Sequence, residues 1–544
     1  MPLRPDAIRY HLGMILRVAA TTLAAIVLSA AAAAAQPGQF ASWKETAKPR
    51  PPATPCSALR SLTGYDVSIE SAVLVPAQGD TPEFCQVRGL IQPEVRFEVA
   101  LPTAWNGRLY MFGNGGFAGE SLAAGGRVNV RNTAVRRGFA TAQTNTGHDA
   151  AREPLATFAT TPQKVLDYAF RAVHVTAVTA KSIIQTYFGS PASRAYFVGC
   201  STGGRQGLIA AQRFPDDFDG IVVGAPVLDF TGVMTHAAVM HRALTAAPVT
   251  AEQVQLVAER VFATCDAVDG FQDGLVEDPR RCRFDVERDV PVCGVGGADS
   301  GCLPEPQAKA FQAVYADVMS GGALVFPGFP VGGEALVQTQ GGRQTGWAPW
   351  IVSDKGPTIS LAFAESFFKE MVSPGAPLDW REFDPARDME KLARIGTLLN
   401  ATDPDLSRFR ARGGRILMYY GWADPALNPL MGVNYYERMR QAMGGNADDF
   451  FRLFMMPGVL HCAGGNGPSE FDSITALVEW VERGTAPDRL IATQRVDGKP
   501  VRTRPLCVYP KVARHDGKGR PDDAASFTCG EVAASGGAGA RQDR

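Results

Sequence analysis

A serine hydroxyl becomes a useful nucleophile only when a neighbouring base takes its proton and the backbone holds it clear of the chain. Gly199-Cys200-Ser201-Thr202-Gly203 offers such a turn: it fits G-x-S-x-G, follows the strand-like run Ala195 to Val198 and precedes a helix-like run. Glycines on both sides leave room for the serine, and the helix that follows points its positive end at the reacting centre. The matching acid and base belong later in the chain, in the order serine, acid, histidine. Asp424 ends the buried strand-like run Ile416 to Ala423, and His461 follows a second such run, Arg452 to Met456, and the loop Pro457-Gly458-Val459-Leu460. His461 lies 37 residues after Asp424, about one helix and one strand away. Ser201, Asp424 and His461 are therefore the expected triad. Gly116, in the loop Phe112-Gly113-Asn114-Gly115-Gly116 after an early strand, and Thr202 are expected to donate the oxyanion N–H groups, with Gly115 the alternative to Gly116. If Ser201 and His461 lie within hydrogen-bond reach, their neighbours Cys200 and Cys462 fall close enough for a disulfide that ties the two loops.

A second cluster runs from Cys265 to Asp278, with carboxylates spaced by three and four residues in a pattern unlike an EF-hand loop. Gly270 and Gly274 argue for a loop that turns oxygens inward, which suits calcium's preference for hard oxygen ligands. Asp266, Asp269 and Asp273, with the main-chain carbonyls of Phe271 and Leu275, form the expected site of a structural calcium ion.

These residues need a scaffold. From Val95 to about Pro226, extended apolar segments (FEVAL, RLYMFGNGG, FATAQTN, RAYFVGCSTGG, GIVVGAP) alternate with helical ones, including an amphipathic stretch from Thr161 to Phe188. That alternation predicts a mostly parallel sheet flanked by helices. It stops after Pro226 and resumes with RILMYYGWAD, a helix around Asn434 to Ala442, FRLFMMPGVLHC, and a helix from Ser469 to Arg483. The expected class is α/β, an α/β-hydrolase fold over 56–226 and 414–532, with a large inserted lid domain at 227–413 that carries the calcium site. Residues 36–55 are expected to form a linker and 533–544 a disordered tail.

Arg4, Arg9 and Arg17 precede an apolar run from Val18 to Leu28 and an alanine tract ending at Ala35. Residues 1–35 read as a signal peptide; a membrane anchor needs about 18 to 20 strongly apolar residues, and this run is rich in alanine and threonine. The ten cysteines (56, 85, 200, 265, 282, 293, 302, 462, 507 and 529) all follow it, and an even count in an exported chain favours disulfides. No CxxC pair occurs, which argues against zinc. The chain is thus expected to be secreted or periplasmic, from a bacterium, with no stable membrane association once the signal is cleaved. A balance of 54 basic and 55 acidic residues gives no general attraction for nucleic acid.

In this order, GNGG at 113–116, NTGH at 145–148, GCSTGGRQG at 199–207, CDAVDGFQDGL at 265–275, YGWADPALNP at 420–429, HC at 461–462, and RPLC with SFTC near the end resemble the tannase and feruloyl esterase family, which also contains a mono(hydroxyethyl) terephthalate hydrolase. The resemblance implies the Ser201, Asp424 and His461 triad, structural calcium in an inserted lid, and the disulfides Cys56–Cys85, Cys200–Cys462, Cys265–Cys282, Cys293–Cys302 and Cys507–Cys529. It implies a secreted serine carboxylesterase whose partner is a small aromatic ester, of the feruloyl type. The alternatives are galloyl esters, mono(hydroxyethyl) terephthalate, or calcium-dependent binding without catalysis. Trp347, Trp350, Phe363, Phe367 and Phe368 of the lid are candidates to stack on an aryl ring or to form the lid's own core. The terephthalate enzyme uses a lid arginine for the substrate carboxylate, and no arginine lies between Arg343 and Arg381.

Overall fold

The computed structural model describes residues 38–294, 301–334, 336–339, 342–353, 356–373 and 375–531, so the expected signal peptide and tail lie outside the described residues. Nine strands form the central sheet: β1 (Val67–Val75), β2 (Phe84–Ile91), β3 (Val95–Pro102), β4 (Arg108–Phe112), β5 (Ala140–Thr144), β6 (Arg194–Cys200), β7 (Gly220–Gly224), β8 (Arg415–Gly421) and β9 (Phe451–Met456). Their order is β1-β2-β3-β5-β4-β6-β7-β8-β9. The first three strands and the β3–β5 pair are antiparallel, and every pairing from β5 onward is parallel. Parallel strands are covered by helices on both faces, and β4, β5 and β7 are accordingly buried along their whole length. This is the α/β-hydrolase fold the alternation predicts.

The chain runs from β4 sideways to β5, then back past β4 to β6, so loops from the adjacent ends of β4 and β6 depart in opposite directions. Such a switch point opens a crevice at the carboxyl ends of the strands. The loops that leave there are the glycine-rich segment after Phe112 and the turn at Ser201.

Six helices matter for the site: α1 (Gly125–Val135), α2 (Ala172–Phe188), α3 (Thr202–Arg213), α4 (Phe230–Ala246), α5 (Ala251–Cys265) and α6 (Ile359–Ser366). Strands β7 and β8 are parallel neighbours, Ile221 opposite Ile416, although nearly two hundred residues of chain separate them. The segment between them, with α4, α5, α6 and short hairpins, adds no strand to the central sheet among the described residues. It packs a core of its own around Val257, Val261, Phe311 and Trp347.

Some boundaries differ from the periodicity. The last helix begins at Ser473, because Asp472 caps it by accepting from Thr475 N, and Phe471 sits in a short strand. That strand pairs with Arg489–Val496 and Lys499–Cys507 in a small antiparallel sheet that the alternation had not predicted. Residues 38–55 have almost no regular structure but are not loose: Phe40 is buried against Tyr110 and Phe139, and Arg50 bridges to Trp105. All five disulfides implied by the resemblance are present.

Candidate active site

Strand β6 ends at Cys200, and α3 starts at Thr202, so Ser201 alone makes the turn, at φ 62° and ψ −123°. A side-chain-bearing residue held there costs about 1–3 kcal/mol, which the surroundings must supply. They do so through the Ser201 N–H donated to Gly224 O at 3.0 Å and the Ser201 carbonyl accepting from Arg205 N and Val227 N. The turn also depends on glycine at 199, where a Cβ would lie 2.4 Å from the Gly203 carbonyl.

Asp424 and His461 leave the ends of β8 and β9. His461 Nδ1 lies 2.8 Å from Asp424 Oδ2, both side chains buried. The other carboxylate oxygen accepts from Ala426 N and Leu427 N, both at 2.9 Å. With both oxygens committed, the carboxylate is fixed in position and holds the imidazole edge that faces it. The Trp350 ring stands edge-on to His461 at 5.4 Å. The Cys200–Cys462 disulfide, Cα atoms 6.0 Å apart, joins the residue before the serine to the residue after the histidine.

Ser201 and His461 line one pocket of about 770 Å³, its open mouth included. Gly115, Gly116 and Thr202 border it beside the serine, and Phe230, Met234, Trp350 and Phe363 are among its walls. No Asp, Glu, Lys or Arg is among the lining residues. Phe363 and Trp350 reach the pocket, whereas Phe367, Phe368 and Trp347 are buried in the protein's own packing. Gly116 occupies the first corner of a turn closed by Ala118 N donating to Gly115 O, at φ 50°. Its carbonyl accepts from Thr202 Oγ1 at 2.5 Å and Tyr168 Oη at 3.0 Å, which fixes the peptide beside the start of α3. The Thr202 N–H, at the first position of α3, has no partner within that helix.

Sequence reasoning missed what holds this loop. Asn114 N donates to Gln206 Oε1 at 3.0 Å, and Gln206 Nε2 returns a bond to Asn114 Oδ1 at 3.3 Å, so the loop is bolted to α3. Asn114 Nδ2 donates to Glu120, which pairs with Arg127 of α1; Arg127 donates to the Gly113 carbonyl and to Gln143, and Gln143 to Glu98. Glu98 is shared by Arg131 and Arg88. Asn114, inside GNGG, and Gln206, inside GCSTGGRQG, carried a signal in the sequence; the other members are scattered polar residues that become one buried network through folding. His148 of the NTGH motif is buried and stacked on Phe158 at 4.0 Å, and burial pushes its imidazole down to about 4.

The acidic loop lies elsewhere, beside the C-terminal hairpins. Asp266 accepts from Asp273 N and Gly274 N, Asp269 from Phe271 N, and Asp273 from Leu275 N. Asp273 is also paired with the buried guanidinium of Arg504. As the side chains lie, no group of three or more Asp, Glu, His or Cys in position to hold a metal occurs among the described residues. The donors are all oxygens, the kind a hard cation takes, and burial, with the charge of Asp273 adding and the Phe271 N–H and Arg504 opposing, raises Asp269 above the usual carboxylate range.

Fold and site define a hydrolase of the α/β-hydrolase class. The sequence profile described as "Tannase and feruloyl esterase" matches residues 80–530, and the chain belongs to that family. It is 33% identical to mono(2-hydroxyethyl) terephthalate hydrolase of Piscinibacter sakaiensis, over 87% of this chain and 91% of that one. It is 30% identical to feruloyl esterase B of Aspergillus niger, over 79% and 83%. The crystal structure of feruloyl esterase B from Aspergillus oryzae superimposes with a TM-score of 0.77 at 26% identity, covering 87% of this chain and 99% of that one. The protein is accordingly a carboxylic-ester hydrolase.

Proposed function

We propose that the protein is an exported serine esterase that cleaves esters of aromatic acids, of the feruloyl type, through an acyl-enzyme at Ser201. The observation that carries this reading is the His461–Asp424 pair facing a pocket that Ser201 shares and whose walls are apolar and aromatic. His461 removes the Ser201 proton, the serine attacks the ester carbonyl, and the oxyanion rests on the N–H groups of Gly116 and Thr202. His461 then protonates the departing alcohol. Water, activated in the same way, releases the acid. Five disulfides support an extracellular or periplasmic setting.

The test is the initial rate of the purified enzyme, beside Ser201→Ala, on methyl ferulate, methyl gallate and mono(hydroxyethyl) terephthalate. A serine-dependent preference for the ferulate is expected. Serine-dependent turnover led by either of the others replaces the substrate assignment, and absence of turnover on all three removes it.

The Asn114 network gives a second expectation. Gln206→Leu lowers kcat roughly ten- to hundredfold with KM little changed, a fraction of the 10²–10³ that an entire oxyanion donor supplies. Wild-type kcat in a folded Gln206→Leu would show that the loop does not need this tie.

Calcium would be held by Asp266, Asp269 and Asp273 with the carbonyls of Phe271 and Leu275, and would supply charge neutralisation that stiffens the loop. Chelation is expected to lower Tm by several degrees, which for a chain of this length corresponds to a loss of several kcal/mol, and to spare initial turnover at 25 °C. Immediate loss of turnover with Tm unchanged would contradict a structural role.

A further inference from the structure

Helix α4 turns Phe230, Val233, Met234 and Ala237 to the pocket, and one turn beyond Ala237 it carries the buried His241. His241 Nε2 lies 2.8 Å from Ser360 Oγ and 3.2 Å from Thr358 Oγ1. Ser360, at the start of α6, is itself a lining residue of the pocket.

The hydrogen-bond arithmetic at Ser360 has one solution. Its Oγ lies 2.5 Å from the Trp350 carbonyl oxygen, which only accepts, so the hydroxyl proton is committed there. With that proton spent, the contact with His241 requires the imidazole to donate, which places the imidazole proton on Nε2. Burial, reinforced by neighbouring His236, pushes His241 down to about 4, so the ring is neutral at ordinary pH and carries one proton. A hydroxyl oxygen has two lone pairs. One takes the His241 N–H, and the other is an acceptor with no proton to offer in return. The other pocket-lining side chains from α4 and α6 (Phe230, Val233, Met234, Ala237, Ile359 and Phe363) are apolar.

We propose that Ser360, held as an acceptor by His241 and the Trp350 carbonyl, is a specificity-determining residue that reads a hydroxyl donor on the substrate's aromatic ring. Resting on the esterase reading above, this assigns the discrimination between ring-hydroxylated and unhydroxylated aromatic esters to one side chain, Ser360. A ring hydroxyl donates to Ser360 and satisfies it. An unsubstituted ring or a methyl ether leaves the oxygen unpaired against an otherwise apolar wall, and a site built to bond a hydroxyl discriminates strongly against analogues that lack it. A ring carboxylate offers only lone pairs to an acceptor, with no charged side chain lining the pocket to compensate.

The experiment measures kcat/KM on methyl 3-hydroxycinnamate and methyl 4-hydroxycinnamate, their methyl ethers, and methyl cinnamate, for the wild type, Ser360→Ala, Ser360→Cys and Ser360→Thr, with Ser201→Ala as the control. At one ring position at least, the wild type is expected to favour the hydroxy ester at least tenfold over both comparison esters. Because the hydroxyl is larger than the hydrogen of the parent, that preference is not exclusion by size. The ratio is expected to fall to threefold or less in Ser360→Ala and to return in Ser360→Thr. Ser360→Cys, which keeps the side-chain volume but accepts weakly, supplies the same answer if the alanine variant does not fold. Wild-type ratios near one at both positions, or a tenfold ratio kept in the alanine or cysteine variant, overturn the proposal while leaving serine-dependent hydrolysis intact. Hydrolysis that persists in Ser201→Ala overturns the esterase reading itself.

Discussion

Ser201→Ala and His461→Ala, each made alone, are expected to lower kcat on the preferred ester by about four to six powers of ten with the fold intact, because the members of a triad act as a unit. The geometry states why each loss is so large. Ser201 sits at φ 62° on the turn that leads into α3, and the other hydroxyl at the head of that helix, Thr202 Oγ1, is committed to the Gly116 carbonyl. His461 is held by a carboxylate whose second oxygen is committed to Ala426 N and Leu427 N, so the proposed proton acceptor is preset and would lose no orientation entropy at each turnover. Asp424→Asn is expected to cost up to about 10⁴, since an amide in place of the carboxylate permits the wrong imidazole tautomer. Near-normal turnover in both Ser201→Ala and His461→Ala, in protein with wild-type Tm, would sink the triad assignment.

Removing the Cys200–Cys462 disulfide, as Cys200→Ala with Cys462→Ala, is the second large expectation. The bridge spans 262 residues of sequence, so the loop it closes in the unfolded chain is long, and chain-entropy reasoning places the upper bound of its stabilisation at about 5–6 kcal/mol. Its catalytic effect has a separate origin. The bridge flanks both reacting side chains, and a displacement of about 1 Å between them is enough to cost on the order of a hundredfold in rate. The double variant is therefore expected to show a lower denaturation midpoint and a kcat reduced by one to two powers of ten, whereas loss of Cys507–Cys529, which adjoins neither Ser201 nor His461 in the chain and does not line the pocket, should lower the midpoint alone. Equal kcat in the two double variants would show that the Cys200–Cys462 bridge serves stability only.

Much of the site was legible because its parts carry local signatures. A glycine-flanked serine between a strand and a helix needs no long-range information, and neither does a strand-like run that ends in Asp424 or a loop that ends in His461. The Asn114 network was not legible: Glu98 and Gln143 come from two strands, Arg127 and Gln206 from two helices and Glu120 from a loop, and nothing in their spacing says that they meet. Ser360 and His241 were hidden for the same reason, being 119 residues apart and polar on otherwise apolar segments. The start of the last helix was misplaced because its apolar periodicity extends through Phe471, although the Asp472 cap interrupts it.

By itself, the amino-acid sequence determined the class of fold, the interruption between Pro226 and about Gly413, and the identities of the serine, acid and base candidates. Period, glycine placement and chain order are properties of short segments, and they survive without the rest of the molecule. Only the tertiary structure decided that β7 and β8 lie side by side, that the glycine-rich loop is bolted to α3, and that Ser360 has an acceptor and no donor to offer. Each of those depends on which groups are brought within about 3 Å of one another, and hydrogen bonds are short-ranged and directional, so they exist only once the whole chain has packed.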